Sequence, residues 1–266
     1  MVSCYRRMKP LLGTFVEIGI DPNQQDGEFI VNKAFDCIKK IHDQLSFHEP
    51  NSDLSLLNLS KGQKTQIDQL SVNVIKLAKF MTRDSQNYFN CTVGNHFKNN
   101  TENSFCGNSE DIYIQGNTVQ LKNNITLILD GVAKGFAIDL AVKSLKKKGV
   151  SFGWVNAGGD LRVFGDMEWP IYIKNTQGQT EKIVYIKNAA IATSHVSVAS
   201  NKRFPAKLIS SHDRPTEIGT WSVVSKSAWR ADALTKVAAN APQDQKNAII
   251  KRLGGELIDL NQGIRL

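Results

Sequence analysis

The sequence has few cysteines and histidines, and neither residue type is spaced for a metal centre. Its four cysteines, among 266 residues, include no Cys-x-x-Cys pair, and its five histidines show no metal-ligand spacing. A zinc site or a disulfide framework is therefore not expected. Four histidines are expected to have surface or structural roles: His42, His96, His195 and His212.

Long apolar runs and repeats are also missing. No run approaches the roughly 20 apolar residues of a membrane-spanning helix, and residues 1–15 lack the apolar stretch of a secretory signal. The chain as given is thus expected to be cytoplasmic, or periplasmic if an export signal is missing from it. The lack of internal repeats and low-complexity tracts excludes solenoids and long flexible tethers.

Acidic residues are outnumbered, with 25 Asp and Glu against 33 Lys and Arg, which gives a formal net charge of +8. This excess favours an anionic partner: nucleic acid, a membrane surface or a polyphosphate cofactor. Nucleic acid has only the net charge in its favour, because no basic stripe with interleaved aromatic residues is present. We therefore expect no nucleic-acid partner.

Hydrophobic spacing predicts helices mixed with antiparallel hairpins. Between residues 26 and 45, apolar residues recur at three- and four-residue spacing opposite charged ones, as in an amphipathic helix. We expect an α+β fold in which helices cover mainly antiparallel sheets, formed by residues 1–266 as a single unit of two intimate lobes.

The other expected elements follow from similar patterns. Helices are expected at 72–85, through 136–145 with a stop at 146–149, and at 231–253. Strands are expected at 14–20, 152–156, 161–164, 169–174, 182–186, 218–224 and 256–260, with a hairpin over 119–129. A structured loop is expected at 46–55, and residues 95–116 are expected to be the least ordered.

Residues 130–135, Asp-Gly-Val-Ala-Lys-Gly, place a lysine between two glycines where a helix is expected to begin. Free backbone N–H groups at a helix start, the positive end of the helix dipole and one ammonium form a receptor for phosphate. The P-loop pattern is absent, and an ordinary helix start is the alternative interpretation.

Two further segments could carry chemistry. Residues 156–160, Asn-Ala-Gly-Gly-Asp, let a ligand approach the backbone closely, or they form a plain hairpin turn. Residues 231–236, Ala-Asp-Ala-Leu-Thr-Lys, place an aspartate at a helix start, where it is either a first-turn acid or a ligand for a hard cation.

Together these segments resemble the ApbE family, the FAD:protein FMN transferases. The matching segments occur in the family's order and span most of the chain: 10–18, 46–58, 92–94, 131–139, 155–161, 190–194 and 231–234. Each is weak evidence alone, whereas the ordered set is specific.

The resemblance implies an enzyme that binds FAD in a cleft between two lobes, with Mg²⁺ at the pyrophosphate. Such an enzyme cleaves FAD, attaches FMN through a phosphoester to a threonine of an acceptor flavoprotein, and releases AMP. By position, the Mg²⁺ ligands would be the Ala133 carbonyl and Asp232, and the catalytic residues Asp232 and Lys236. The implied FAD-binding residues are His48, Lys134, Asp139, Gly158, Gly159, Asp160, Thr193, Ser194 and Lys207.

This sequence departs from the family's pattern at three places. Lys236 stands where the family commonly has a threonine metal ligand, Lys207 begins the segment that replaces a histidine-containing motif, and His48 replaces the aromatic residue usually stacked on the flavin. Two lysines near a pyrophosphate could also bind FAD without metal. Two hypotheses therefore stand: an active flavin transferase, or an FAD-binding protein whose transfer activity is lost or independent of metal.

Overall fold

The computed structural model describes residues 4–96, 106–174, 179–196, 208–212 and 215–258. The strands are β1 (Tyr5–Leu11), β2 (Thr14–Ile20), β3 (Thr65–Gln66), β4 (Ile112–Gln115), β5 (Thr118–Leu121), β6 (Gly153–Ala157), β7 (Asp160–Phe164), β8 (Glu168–Lys174), β9 (Thr180–Lys187), β10 (Ala190–Val196), β11 (Gly219–Ser225) and β12 (Gly255–Ile258). The helices are α1 (Gly27–Leu45), α2 (Asp53–Leu59), α3 (Gln69–Asp84), α4 (Ala133–Lys147), α5 (Ala228–Asn240) and α6 (Lys246–Arg252).

The largest sheet runs in the order β1-β2-β6-β7-β10-β11-β12, and its neighbouring strands are antiparallel. A smaller sheet has the order β3-β5-β4, and β8 pairs with β9 in a separate hairpin. The expected α+β class, with mainly antiparallel sheets and covering helices, is confirmed.

Side chains alternate between the two faces of the large sheet, and a different set of elements covers each face. Ala190 and Ala192 of β10 face the main hydrophobic core, which α1, α4 and α5 share. Ile191, between them, faces a second core that includes Ile173 of β8 and Ile186 of β9. Helices thus lie on one face and a hairpin on the other.

The helix starts and stops follow local capping chemistry. α1 matches the expected helix, and its buried side follows the three- and four-residue spacing. α3 begins before residue 72, because the Asp68 carboxylate accepts a hydrogen bond from the Leu70 N–H at 2.7 Å and caps the helix start. Among the described helices, none is long and apolar enough to cross a bilayer.

The prediction of a hairpin over 119–129 is wrong. β5 pairs with β4, which precedes it, through a turn at Gly116 and Asn117. The alternating apolar side chains of 125–129 are buried without forming a strand, because alternation reports burial as well as sheet pairing. β4 also lies inside 95–116, so part of that segment is ordered; residues 97–105 lie outside the described residues.

The last helix, expected to be continuous over 231–253, is two helices. α5 ends at Asn240 and α6 begins at Lys246. The break lies at Pro242, which has no N–H to donate and disfavours helical backbone at Ala241, where ψ is 150°.

Candidate functional site

A cavity of about 420 Å³ opens beside the start of α4 and the second half of α5. Its polar wall includes Asp130, Lys134, Thr193, Ser194, His195 and Lys236. Its apolar wall includes Tyr88, Phe89, Val93, Ile128, Leu208 and Ile209. The cavity therefore joins a charged region to an apolar one, as a ligand with a phosphate and an aromatic ring would require.

Three distant chain segments meet at the polar wall. The segment before α4 contributes Asp130 and Lys134, β10 contributes Ser194, and α5 contributes Lys236. The Ser194 and Thr235 hydroxyl oxygens lie 2.7 Å apart and join β10 directly to α5. The lysine segment and the aspartate helix, both singled out from the sequence, thus line one site.

Lys134 pairs with Asp160, the first residue of β7. Their Nζ and Oδ2 atoms lie 2.8 Å apart, and the Asp160 side chain is buried. Burial alone would lower the pKa of Lys134, but the carboxylates of Asp160 and Asp232 outweigh burial and raise that pKa above its ordinary value. Lys134 therefore remains an ammonium at neutral pH, with part of its side chain exposed to the cavity.

Lys236 and Asp232 form a second pair, one helical turn apart on α5. Asp232 is 0% exposed, and its Oδ1 accepts a hydrogen bond from the Lys236 ammonium. The same ammonium donates to Ser194 Oγ at 3.1 Å and to Thr235 Oγ1 at 3.2 Å. Gly131 makes room for Phe89 and this lysine, since a Cβ at Gly131 would lie 2.9 Å from Phe89 Cε2 and 3.3 Å from Lys236 Cε.

The carboxylates at the site repel one another. Burial is the largest cause that raises the pKa of Asp160, and the charge of Asp232 raises it further. Desolvation by the cavity wall and the charge of Asp232 likewise raise the pKa of Asp130, although its side chain is exposed to the cavity and Lys134 and Lys236 oppose the shift. Asp130 is thus a carboxyl group that faces the cavity and whose ionised form is disfavoured.

Asp139, which the resemblance places at the nucleotide, contacts the start of α5. Its carboxylate accepts hydrogen bonds from the N–H groups of Ala228 at 2.9 Å and Trp229 at 3.1 Å, at the start of α5, and it pairs with Arg162. It is not among the residues that line the cavity. The structure places Asp139 as the cap that holds α5, the helix that carries Asp232.

Gly135 also serves this helix contact. A Cβ at this position would lie 2.5 Å from the Ala228 carbonyl carbon and Trp229 Cα. Only glycine lets α4 approach the start of α5 so closely. The second glycine of the lysine segment is therefore explained by helix packing rather than by phosphate binding.

Among the other residues expected to bind FAD, Thr193 lines the cavity, whereas Gly158 and Gly159 do not. Gly158 and Gly159 form the β6–β7 turn, where Gly158 has φ +63° and the Gly159 N–H donates to Asn156 Oδ1 at 3.0 Å. They are not cavity-lining residues, so of this turn only Asp160 reaches the site, through Lys134. The Thr193 hydroxyl lines the cavity and lies 2.8 Å from Ser222 Oγ.

His48, expected to bind FAD, is not part of the cavity wall. His48 is exposed and contacts Phe47 edge-on with ring centroids 5.8 Å apart. It does not line the cavity, yet its charge lowers the pKa of Asp130, so it lies within electrostatic range. Lys207 lies outside the described residues.

The apolar wall is not predictable from the sequence pattern, and His195 has more than the surface or structural role expected for it. His195 is exposed, but it also lines the cavity, with Nδ1 3.1 Å from Thr220 Oγ1. Asn240 organises the opposite wall, where its amide donates to the Tyr88 carbonyl at 3.0 Å and the Ile209 carbonyl at 3.4 Å. No sequence pattern marks these residues, because folding brings them together from distant parts of the chain.

The residues expected to hold Mg²⁺ do not make a donor set that suits this ion. Mg²⁺ needs near-octahedral oxygen ligands at about 2.0–2.1 Å. Asp232 Oδ1 is occupied by Lys236, and Oδ2 is buried without a hydrogen-bond partner. Within the described ranges, no group of three or more His, Cys, Asp and Glu side chains could hold a metal ion. Ala133 begins α4 beside Lys134, and it adds at most one carbonyl.

Comparisons with known proteins give a consistent result. A model of the ApbE family matches residues 12–258. The solved structure of the ApbE protein from Thermotoga maritima is 23% identical, with a TM-score of 0.84 over 96% of this chain and 93% of that one. The apo flavinyl transferase ApbE of Pseudomonas stutzeri is 18% identical, with a TM-score of 0.80 over 96% and 94%.

A third similar structure is the flavin transferase ApbE of Vibrio cholerae, which is 17% identical with a TM-score of 0.76 over 96% of this chain and 97% of that one. At these identities the structural likeness establishes the fold. No curated protein matches the chain.

Proposed function

Because this chain belongs to the ApbE family, we propose that it is a flavin transferase that cleaves FAD, attaches FMN through a phosphoester to a threonine of an acceptor flavoprotein, and releases AMP. The observation that carries the proposal is the convergence of Lys134 and Lys236 on one cavity that also has an apolar wall. A dinucleotide has matching parts, since its pyrophosphate is anionic and its rings are flat and apolar.

The two lysines are suited to the pyrophosphate. Both lysines line the cavity, and each ammonium is paired with a buried carboxylate that does not line it, Asp160 for Lys134 and Asp232 for Lys236. Such pairing fixes each cation in place, while its partial exposure leaves it able to attract phosphate oxygens. Phosphoryl transfer depends mainly on positioning and charge neutralisation, which this arrangement supplies.

The apolar wall is suited to one of the rings of FAD. Tyr88 is stacked on His212, with centroids 4.5 Å apart, and His212 Nε2 lies 2.9 Å from the Gln86 carbonyl oxygen. The Tyr88 ring is therefore restrained by this stacking, so its contact with a ligand would cost little side-chain entropy. Phe89 and Ile209 continue this surface.

In the proposed reaction, the acceptor threonine oxygen attacks the phosphorus of the FMN half. The bond from that phosphorus to the bridging oxygen breaks, and AMP leaves with the oxygen. Asp130 is the side chain we assign to receive the threonine proton, because its carboxylate faces the cavity and has a raised pKa, which makes it a stronger base than an ordinary aspartate.

The test is incubation of the purified protein with FAD and an acceptor flavoprotein domain. We expect the acceptor to become fluorescent under denaturing conditions, to gain the mass of FMN, and to release an equal amount of AMP. An acceptor whose target threonine is replaced by valine is the matched control. Bound FAD that remains intact in the presence of the acceptor would support the alternative, an FAD-binding protein without transfer.

A further inference from the structure

The ammonium of Lys236 is held in one place rather than extended into solvent. Its carbon chain packs beside Gly131, and its nitrogen contacts Asp232, Ser194 and Thr235. The exposed fraction of its side chain is 21%, against 0% for Asp232. A fully buried carboxylate requires a compensating positive charge, and Lys236, one turn away on the same helix face, supplies it.

This arrangement excludes a divalent ion from the carboxylate. A metal at Asp232 would have to displace the ammonium from Oδ1 or bind beside it at Oδ2, where two positive charges would repel each other at short range. Oδ2 alone provides one ligand of the six that Mg²⁺ prefers. Since the described residues add no further carboxylate cluster, the lysine is the better partner for Asp232.

The ammonium is also placed to act on a ligand. Lys236 lines the cavity together with Lys134, and its ammonium contacts Ser194 of the polar wall. Of the two hydroxyl groups that accept from the Lys236 ammonium, Ser194 Oγ at 3.1 Å belongs to a residue that lines the cavity, whereas Thr235 is buried behind it. A phosphate oxygen in the cavity can take the place of the neutral Ser194 Oγ and form a stronger, charge-assisted hydrogen bond with the ammonium.

From these contacts we propose that Lys236 is a built-in counter-cation, which replaces a divalent metal ion beside Asp232 and lets the chain bind the pyrophosphate of FAD without metal. This inference rests on the proposed function, because it concerns the same ligand and the same cavity. The ammonium of Lys236 would then neutralise the negative charge of Asp232 and the pyrophosphate, as a bound metal ion otherwise would.

The direct experiment measures FAD binding to the unmodified protein by calorimetry, once with excess EDTA and once with excess Mg²⁺. We expect the two dissociation constants to agree within about twofold, which is less than about 0.5 kcal/mol. An affinity that rises tenfold or more with Mg²⁺ would overturn the inference and leave the proposed function standing. Absence of FAD binding under both conditions would overturn the inference and the proposed function together.

Two variants separate the charge of Lys236 from its size. Lys236→Met keeps the carbon chain and removes the ammonium, so we expect FAD to bind about tenfold or more weakly, with or without Mg²⁺. Lys236→Thr removes the ammonium and adds an oxygen ligand beside Asp232, so we expect weak binding in EDTA and recovery with Mg²⁺. If Lys236→Thr binds FAD equally under both conditions, the inference is wrong.

Lys143→Thr is the matched control, because Lys143 is exposed on α4 and does not line the cavity. We expect it to bind FAD as the unmodified protein does. Thermal unfolding of each variant shows whether it is folded, and the comparison of EDTA with Mg²⁺ on the unmodified protein does not depend on any variant.

Discussion

Replacement of Asp139 distinguishes a helix cap from a ligand contact. Its carboxylate accepts two backbone hydrogen bonds at the start of α5 and pairs with Arg162, and the two side chains are 13% and 20% exposed. Asp139→Ala leaves both N–H groups and the guanidinium without their acceptor. Breaking a buried charge pair costs about 3–5 kcal/mol, and the partial exposure here favours the lower end of that range.

Asp139→Asn is the more informative variant. It keeps an acceptor oxygen for one N–H group and loses the charge, so we expect the free energy of unfolding to fall by about 1–3 kcal/mol. Urea unfolding measures this loss as a lower midpoint with an unchanged slope. Under conditions where the variant is folded, FAD affinity should stay within about threefold of the unmodified protein, a difference of about 0.65 kcal/mol.

The contrary result would be equally clear. If Asp139→Asn unfolds at the same urea concentration as the unmodified protein but binds FAD about tenfold or more weakly, Asp139 contacts the nucleotide. The interpretation of this residue from the sequence would then be right, and its assignment as the cap of α5 would be refuted.

Three other expectations concern the cavity and its supports. Lys134→Met removes a charge-assisted contact, so FAD should bind about 1.5–3 kcal/mol more weakly by calorimetry; unchanged affinity would remove Lys134 from the site. Asp130 has a folded-state pKa raised above its unfolded value, so ionising it costs stability as pH rises from the ordinary carboxyl pKa through the raised one. Asp130→Asn should therefore be more stable than the unmodified protein at neutral pH and should lose that advantage below about pH 3.9. The variant should also transfer FMN more slowly. Equal stability of the two proteins at both pH values would contradict a raised pKa for Asp130. Gly135→Ala places a methyl group 2.5 Å from the backbone of Ala228, so urea unfolding should show a loss of about 1–3 kcal/mol, and an unchanged midpoint would show that α4 and α5 can separate without cost.

The sequence predicts the elements that bury a regular apolar face. α1 is identified by its helical spacing, and β2 by alternate residues that are all buried in the main core. β1 escapes prediction because its residues are mostly exposed, so its place at the sheet edge comes from pairing with β2 rather than from its own pattern. α2 is missed for a similar reason, since it is only seven residues long and its start depends on the Ser52 cap.

The site is predicted in part. Lys134, Asp232 and Lys236 are identifiable because they lie within two recognisable segments, 130–135 and 231–236, which the structure brings together. The expected helix start at residue 231 is wrong, since α5 begins at Ala228 and Asp232 lies in its second turn. The pairing of Lys134 with Asp160 is not readable from spacing, because the two residues lie on different elements that only the folded sheet brings within 2.8 Å.

Tyr88 and Asn240 show the limit of local patterns. Tyr88 follows α3, whereas Asn240 ends α5, and the hydrogen bond between them joins residues 152 positions apart. Asp139 illustrates the opposite problem, because a residue inside a family segment hydrogen-bonds to the start of a neighbouring helix and does not line the cavity. Position within a matching segment thus indicates proximity to the site without fixing a residue's role.

The most direct measurement is a crystal structure of the unmodified protein with FAD bound. We expect the pyrophosphate to lie between the ammonium groups of Lys134 and Lys236, with one ring of FAD against Tyr88. Density for the pyrophosphate elsewhere on the molecule, or with both lysines still facing only their aspartates, would contradict it.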